Sequence, residues 1–282
     1  MTAIVREDPD WQTFAGEGWT ARIFGESVPD REHRKQGRAI GRWTLTDSAG
    51  RTLIVFLKRH FVLPKWAGLL ARLFPGRAWS PGLQEWEHLS WAEREGFPVP
   101  RAMAAGEFRG PGLRLKSFLA IEELAEQEPL HLAVPIAQQS LSAADFERWK
   151  RGVLLELARL SRELHRRRYF HCDLYFCHFY LHRRDLDRVP DDWTGRIAMI
   201  DFHRLMPSRW LWPWQQAKDL GQLLYSSDVP GVTDRDRRRF WIAYRRGDWH
   251  GATKPPNWLL RFIDWKARQY HGAAERRAKR SS

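Results

Sequence analysis

Two acids that follow separate apolar stretches restrict the fold of this chain more than any other feature of its sequence. Asp173 lies in RRYFHCDLYFCHFYLH at positions 167–182, and Asp201 lies 28 positions later, near the end of RIAMIDFHR. The apolar run before Asp201 predicts a short buried strand, because continuous apolar residues suit a strand that is covered on both faces. We therefore expect the two carboxylates to emerge from adjacent turns.

The segment around Asp173 also contains five residues of the types that bind zinc: His171, Cys172, Cys177, His178 and His182. Two thiolates and two imidazoles could complete a tetrahedral site. Structural zinc sites usually take paired ligands that lie two to four residues apart on a tight turn, whereas here adjacent residues would have to bind the ion together. The spacing therefore favours a catalytic loop over a zinc site.

The first third of the chain predicts a small antiparallel sheet. WTARIFGES, GRAIGRWTLTDSAGRTLIVFLKRH and LRLKSFLAIEEL have the alternation of β-branched and aromatic residues, with turns between them, that is typical of strands. One helix interrupts them: SPGLQEWEHLSWAEREGFPVP begins with Ser-Pro, has apolar residues at helical spacing and ends at Gly96 and Pro98. A small lobe of strands with one helix is the expected result.

The pattern changes after residue 140, where the sequence predicts helices. SAADFERWKRGVLLELARLSRELHRRR has a serine cap at position 142 and an apolar helical face, and QQAKDLGQLLYSS and TDRDRRRFWIAYRRG predict two later helices. We therefore expect an α+β fold with a first lobe over residues 1–124 and a larger, mainly α-helical lobe over residues 125–272. The basic residues 273–282 predict a flexible tail.

The order of a small strand lobe, a helix and two separated acids matches kinases of the bilobal protein-kinase fold. There, one acid in a His-x-Asp loop acts on the acceptor hydroxyl, and another in an Asp-Phe-Gly-like turn holds Mg²⁺ against the nucleotide phosphates. Lys58 ends the strand LIVFLKRH, where such kinases have a phosphate-binding lysine, and Glu85 on the next helix is its natural ion-pair partner. Taken alone, Lys58 could be a solvated lysine at a strand end and Glu85 a surface acid.

The motifs resemble those of a known family. HCDLYFCHFYL and IDFHR look like the HRDLYLCHFLL and IDLHR signatures of the bacterial lipopolysaccharide core kinases, which phosphorylate heptose and Kdo sugars and have a protein-kinase-like fold. SFLAIEEL is similar to the hinge of that family. The resemblance implies transfer of a γ-phosphoryl group from ATP, with Mg²⁺, to a sugar hydroxyl of the inner core. It also implies that this reaction takes place at the cytoplasmic face of the inner membrane.

The resemblance implies roles for single residues as well. Asp173 stands at the position of the catalytic acid and Asp201 at that of the metal-binding acid. His178 occupies the place where protein kinases have an asparagine that binds a second metal. The hinge-like segment implies nucleotide contacts at Glu122 and Leu124. Residues 1–124 then form the nucleotide-binding lobe, and residues 125–272 form the lobe for catalysis and acceptor binding.

Four other residues carry less specific signals. Gly37 and Gly41 lie in a turn between strands without forming G-x-G-x-x-G, so they belong either to a degenerate loop over the nucleotide phosphates or to an ordinary hairpin. Asp219 in KDLGQ is either a charge near a helix N-terminus or the acid that anchors the catalytic-loop backbone in this fold. For His171 we expect a structural role in that loop.

An excess of basic residues indicates an anionic partner. Lys and Arg number 47 against 34 Asp and Glu, which gives a formal net charge of +13. No recognised nucleic-acid motif accompanies this charge, so we expect no nucleic-acid partner.

Residues 61–79 combine apolar side chains with Lys65, Arg72 and Arg77. This segment either lies in the interface of an anionic membrane or packs on the small lobe.

The sequence also limits location and function class. It has neither an apolar run of about twenty residues nor a signal-like start, and its two cysteines form no disulfide framework, so we expect a cytoplasmic protein. The resemblance implies a peripheral position at the inner face of the inner membrane, and we also expect a monomer. Two alternatives stay open: a phosphotransferase of the same fold that acts on a soluble small molecule, and a non-catalytic kinase-like binding protein. The basic surplus disfavours the first, because sites for cationic small molecules favour acids. The presence of Lys58, Asp173 and Asp201 disfavours the second.

Overall fold

The computed structural model describes residues 2–26, 37–250 and 254–281. The chain divides into two compact units, Met1–Ala125 and Glu126–Ser282. The residues that the sequence assigns to nucleotide binding fall in the first unit. Those assigned to the catalytic loop and the metal fall in the second.

The first unit is built on a five-stranded antiparallel sheet. Its strands are β1 Thr2–Glu7, β2 Arg38–Thr46, β3 Thr52–His60, β4 Ala102–Arg109 and β5 Leu115–Glu122, in the spatial order β1-β4-β5-β3-β2. The register places Lys58 of β3 opposite Ile40 of β2 and Leu119 of β5. Lys58 therefore lies on a strand that has hydrogen-bonded neighbours on both sides.

The prediction of a single helix in this unit is wrong. Its described part contains α1 Trp11–Ala15, α2 Trp19–Arg22, α3 Lys65–Leu73 and α4 Pro81–Arg94. The described part of WTARIFGES, residues 19–26, forms α2 and a turn instead of a strand. Trp19 and Ile23 are both buried, and the Trp19 ring lies 5.6 Å from the Trp11 ring. Burial here follows the spacing of four residues that suits a helix, and this tertiary packing decides the local structure.

Helix α4 confirms the prediction for residues 80–98. Ser80 precedes the first turn in an extended conformation, and Pro81 occupies a first-turn position, where its missing N–H costs nothing. Leu83 and Leu89 are buried on the face that packs on the sheet, and Glu85 is buried with them. An acid on a buried helical face requires a partner, and that partner is described below.

The second unit is mainly helical, as the sequence predicts. Its helices are α5 Leu130–Ser140, α6 Ala143–Arg166, α7 Trp212–Ser226, α8 Asp234–Arg246 and α9 Leu259–Ser281. Short strands accompany them: β6 Gln127–Pro129, β7 Tyr169–Phe170, β8 Phe179–His182, β9 Ile197–Met199 and β10 Met206–Pro207, arranged as a β6-β8-β9 sheet and a β10-β7 pair. The buried strand β9 confirms the expectation for the apolar run before Asp201.

Side-chain caps fix the ends of two of these helices. The Ser142 hydroxyl accepts a hydrogen bond from the Asp145 N–H, which confirms the predicted start of α6. Thr233 and Asp236 form a reciprocal capping box at the start of α8. Each such cap contributes about 1 kcal/mol to the stability of the helix.

Helix α9 extends to Ser281, whereas the composition of residues 273–282 predicts a flexible tail. Ala, Glu, Arg and Lys are good helix formers, so this basic stretch continues the helix that precedes it. Among the described residues, no helix is both long enough and apolar enough to cross a bilayer.

Candidate active site

In the first unit, Lys58 and Glu85 form the predicted ion pair. The Lys58 Nζ and Glu85 Oε1 atoms are 2.6 Å apart, and the two side chains are 13% and 4% exposed. Strand β3 delivers the lysine and the buried face of α4 delivers the acid. Removal of one partner would leave the other charge buried, which is strongly destabilising. The pair therefore fixes the position of the Lys58 ammonium.

In the second unit, the fully buried Asp219 of α7 holds the backbone of the loop that carries Asp173. Its carboxylate accepts hydrogen bonds from the backbone N–H groups of His171 and Cys172, both at 2.8 Å. The Nε2 atom of His165 donates a third bond to it at 3.2 Å. Cys172 has a positive φ of 62°, a conformation that a non-glycine residue keeps only where its surroundings enforce it. Of the two interpretations of Asp219, the anchoring acid is confirmed.

His171 has the structural role that the sequence predicts. Its Nε2 atom donates a hydrogen bond to the carbonyl of Ile200 at 3.0 Å, directly before Asp201. Burial lowers the pKa of this imidazole, which favours the neutral ring. His171 therefore connects the loop of Asp173 to the turn of Asp201.

Asp173 and Asp201 converge, as the sequence predicts, and His203 joins them. One ligand atom from each of the three residues lies within 4.8 Å of the others. Asp201 adopts a left-handed backbone conformation, with φ 66° and ψ 52°, at the start of a short 3₁₀ turn. The Nδ1 atom of His203 donates to Asp201 Oδ1 at 2.7 Å. Carboxylate oxygens are the ligands that Mg²⁺ prefers, so the two aspartates fit such an ion.

His178 lies beside this group, although it is not one of the three converging residues. Its Nδ1 atom donates to the carbonyl of Asp173 at 2.7 Å, and its Nε2 atom is 3.8 Å from Asp201 Oδ2. Burial acts to lower the pKa of His178, but hydrogen bonds with Cys177 and the Asp173 carbonyl and the charge of Asp201 outweigh it and raise the pKa. At 3.8 Å the His178 ring is too far from Asp201 for a hydrogen bond, and the protonated imidazole acts on that carboxylate through its charge. A direct metal bond from His178 stays a prediction.

Asp173 has two neighbours besides the metal-binding group. Gln222 Nε2 lies 3.4 Å and Arg204 Nη1 lies 3.6 Å from Asp173 Oδ1. These loose contacts leave the half-buried carboxylate able to accept a hydrogen bond from an acceptor hydroxyl. Burial raises the pKa of the neighbouring Cys172 thiol to about 11, so this sulfur is protonated and poorly suited to bind an ion.

The remaining predicted nucleotide residues lie in the first unit. Gly37 precedes β2 with a positive φ of 65°. The prediction of a turn at Gly41 is wrong, because Gly41 lies within β2 and pairs with Leu57 of β3. The predicted phosphate loop was placed in REHRKQGRAIGRWTL, residues 31–45, of which residues 31–36 lie outside the described residues. Glu122 is the last residue of β5 and lies opposite Val55, and Leu124 lies two residues further along the chain. Nucleotide contacts at these four residues stay predictions.

The sequence interpretation missed His203 as a site residue. In the sequence, His203 is visible only as part of the motif IDFHR. The available signal was an imidazole two residues after the metal-binding acid. The left-handed conformation of Asp201 at the start of the 3₁₀ turn brings its carboxylate and the His203 ring together.

Comparison with known proteins places these features in a family. Residues 80–244 match the model of the lipopolysaccharide kinase (Kdo/WaaP) family. The lipopolysaccharide core heptose(I) kinase WaaP of Pseudomonas aeruginosa is 29% identical over 92% of this chain and 94% of its own length. The Escherichia coli K12 protein of the same name is 30% identical over 57% of this chain and 58% of its own length.

A solved structure shares the fold. WaaP in complex with acyl carrier protein matches with a TM-score of 0.65 and 27% identity, over 95% of this chain and 99% of that one. These matches confirm the predicted fold and the prediction of a kinase that phosphorylates a sugar of the lipopolysaccharide core. The chain belongs to the lipopolysaccharide kinase (Kdo/WaaP) family.

Proposed function

We propose that this protein transfers the γ-phosphoryl group of ATP to a hydroxyl of a heptose in the lipopolysaccharide inner core. The convergence of Asp173, Asp201 and His203 carries the proposal, because phosphoryl transfer needs an acid at the acceptor hydroxyl and acids for a metal. The choice of heptose follows the names of the relatives, of which the Pseudomonas aeruginosa protein matches along nearly its whole length.

Each unit contributes its own residues to this reaction. In the second unit, Asp173 orients the sugar hydroxyl and accepts its proton, and Asp201 holds Mg²⁺ with help from His203 and His178. The metal supplies positive charge for the phosphate oxygens when it is bound. In the first unit, Lys58 binds nucleotide phosphates, and Glu85 keeps its ammonium in place.

The first unit would also contribute the rest of the nucleotide site. We assign contacts with ATP to Gly37, Gly41, Glu122 and Leu124. Phosphoryl transfer passes through a loose transition state, so positioning and neutralisation of charge supply most of the rate enhancement. The fixed Lys58–Glu85 pair and the anchored catalytic loop suit that requirement.

Labelled ATP, Mg²⁺ and a heptose-containing core acceptor test the proposal directly. We expect label to appear on the heptose, and no label with a core acceptor whose target hydroxyl is already phosphorylated. Transfer to a soluble amino alcohol or aminoglycoside and not to core sugar would instead establish the soluble-substrate alternative. Nucleotide binding without transfer to either acceptor would establish the non-catalytic one.

We also propose that helix α3 places the protein on the anionic inner leaflet of the inner membrane. The helix packs on the first unit through small residues: Ala67 and Ala71 contact Leu115, and a Cβ at Gly68 would lie 2.0 Å from the Leu113 carbonyl oxygen. This packing leaves the large apolar side chains on the outer side of the helix.

That outer side has the composition of an interfacial surface. Trp66 is 62% exposed and Leu73 is 60% exposed, and Val62, Leu69 and Phe74 are exposed beside them. The exposed cations Lys65, Arg72 and Arg77 flank this apolar face. Apolar residues between cations suit a surface of anionic lipid, where a lipid-linked acceptor resides.

Vesicle binding tests the role of α3. The variant W66Q/L69Q/L73Q should bind vesicles of phosphatidylethanolamine and phosphatidylglycerol at least about tenfold more weakly than the wild type, because each partly exposed apolar side chain contributes roughly 1 kcal/mol. The matched control L132Q/I136Q/L155Q removes three exposed apolar side chains of the second unit. Equal binding by the two variants would contradict the assignment.

A third proposal concerns a protein partner. The solved relative is complexed with acyl carrier protein, and we propose that this chain also binds an acylated carrier protein. An apolar cavity of about 110 Å³ in the second unit supports this, since it could receive several methylene groups. Leu157, Leu220 and Ile263 line it, and so does Phe176 of the catalytic loop.

A comparison of two carrier proteins tests this partner. We expect the acylated carrier protein to bind at least about tenfold more tightly than the unacylated one, because burial of each methylene stabilises by about 0.8 kcal/mol. Isothermal titration calorimetry measures both affinities. Equal affinities would show that the acyl chain stays outside the protein.

A further inference from the structure

Three tyrosines from separate elements lie near the catalytic carboxylate of the second unit. Tyr175 follows Asp173 in the loop, Tyr225 lies near the end of α7 and Tyr270 lies in α9. The Tyr225 and Tyr270 rings are 5.9 Å apart. Gln222 Nε2 joins this group to the acid, since it is 3.4 Å from both the Tyr175 hydroxyl and Asp173 Oδ1.

The three rings are half-buried, so each keeps part of its surface in contact with solvent. Burial raises the pKa of Tyr270 to about 12, and the charge of Asp173 contributes to the shift. Burial also raises the pKa of Tyr175, again with a contribution from Asp173. Both phenols therefore stay protonated and can exchange hydrogen bonds with sugar hydroxyls, while their faces offer apolar surface to sugar C–H groups.

Arg204 supplies a cation at the same place. Its side chain is 53% exposed, and its Nη1 atom is 3.6 Å from Asp173 Oδ1, which is longer than a hydrogen bond. The planar guanidinium can therefore turn its donors towards an anion that arrives from solvent. Lys218 of α7 is a second cation in this region. Burial raises the pKa of the Cys172 thiol, and the charges of Lys218 and Arg204 both act to lower it.

We propose that Tyr175, Tyr225, Tyr270 and Arg204 form the acceptor subsite, in which the tyrosines contact the sugar to be phosphorylated and Arg204 pairs with the carboxylate of an acidic sugar linked to it. The proposal rests on the proposed function and adds the recognition of an acidic neighbour. Guanidinium groups bind carboxylates with two parallel hydrogen bonds, which would fix both the position and the orientation of the acceptor. Kdo, an octulosonic acid, has the required chemistry.

The proposal is tested with a soluble oligosaccharide of heptose and Kdo, from which the lipid has been removed, and with the same oligosaccharide after chemical reduction of its carboxylates. For Arg204→Gln we expect the KM for the intact oligosaccharide to rise at least about tenfold, because the variant loses a charge-assisted hydrogen bond to the acceptor. The KM for ATP should not change. On the reduced oligosaccharide, wild type and Arg204→Gln should have equal KM values.

Tyr270 provides a second, independent measurement. Tyr270→Ala should raise the KM for both oligosaccharides, whereas Tyr270→Phe keeps the ring and should retain most of the affinity. Titration calorimetry of the oligosaccharides without ATP measures binding separately from transfer. Calorimetry therefore distinguishes a loss of acceptor affinity from a loss of phosphoryl transfer.

Two results would overturn the subsite. One is an unchanged KM for the intact oligosaccharide in both Arg204→Gln and Tyr270→Ala. The other is an equal loss by Arg204→Gln on the intact and reduced oligosaccharides, which would mean that Arg204 acts on Asp173 and not on the acceptor. A wild-type protein that phosphorylates no core acceptor but binds the oligosaccharide as described would count against the proposed function alone.

Discussion

Asp173→Asn is expected to lower kcat by about 10²–10⁴-fold, the range that a positioned general base contributes. The amide has nearly the same shape as the carboxylate but accepts a proton from the sugar hydroxyl far less readily. It also removes a negative charge from the group of Asp173, Asp201 and His203. Transfer of labelled phosphate to the core acceptor, measured at saturating ATP, gives the rate.

The fold of the Asp173→Asn variant should be unchanged, because the contacts of Asp173 with Gln222 and Arg204 are long and the carboxylate is partly exposed. The melting temperature and the affinity for ATP serve as checks. Asp187→Asn, an exposed acid of the same unit, is the matched control and should keep full activity. Full activity in Asp173→Asn would refute the role assigned to this residue.

Asp219→Ala is expected to destabilise the second unit by about 2–6 kcal/mol, because two buried backbone donors would each lose a partner at a cost of about 1–3 kcal/mol. Those donors are the N–H groups of His171 and Cys172. Chemical denaturation followed by circular dichroism measures the loss. Activity should fall with it, since the loop of Asp173 would lose its anchor.

Two further variants separate the possible causes of that loss. Asp191→Ala removes an exposed acid from the same unit and should leave stability within about 0.5 kcal/mol of the wild type. Asp219→Asn keeps one oxygen as an acceptor, so its stability should lie between those of Asp219→Ala and the wild type. An Asp219→Ala protein as stable as the wild type would mean that solvent replaces the carboxylate without cost.

Local signals in the sequence were sufficient for several parts of this structure. Ser80 and Pro81 mark the start of α4, Ser142 marks the start of α6, and these helices begin where the sequence predicts. The order of Lys58 and Glu85 along the chain was enough to predict their ion pair. The physical cause is a proline in the first turn for α4, the Ser142 side-chain cap for α6, and the attraction of opposite charges for the ion pair.

Other parts depend on contacts between distant segments. Trp19 becomes helical because it packs on Trp11 and Phe118, and no period in WTARIFGES indicates that environment. The proximity of Tyr225 and Tyr270 needs α7 and α9 side by side, which their separate patterns do not reveal. His203 required the left-handed turn at Asp201 to be known. Tertiary packing, and not local preference, decides all three.

The hydrogen bond between His171 and the Ile200 carbonyl ties the loop of one catalytic acid to the turn of the other. The two carboxylates therefore share one rigid scaffold and are pre-organised before any substrate arrives. A change that displaces one of the two acids would therefore displace the other as well.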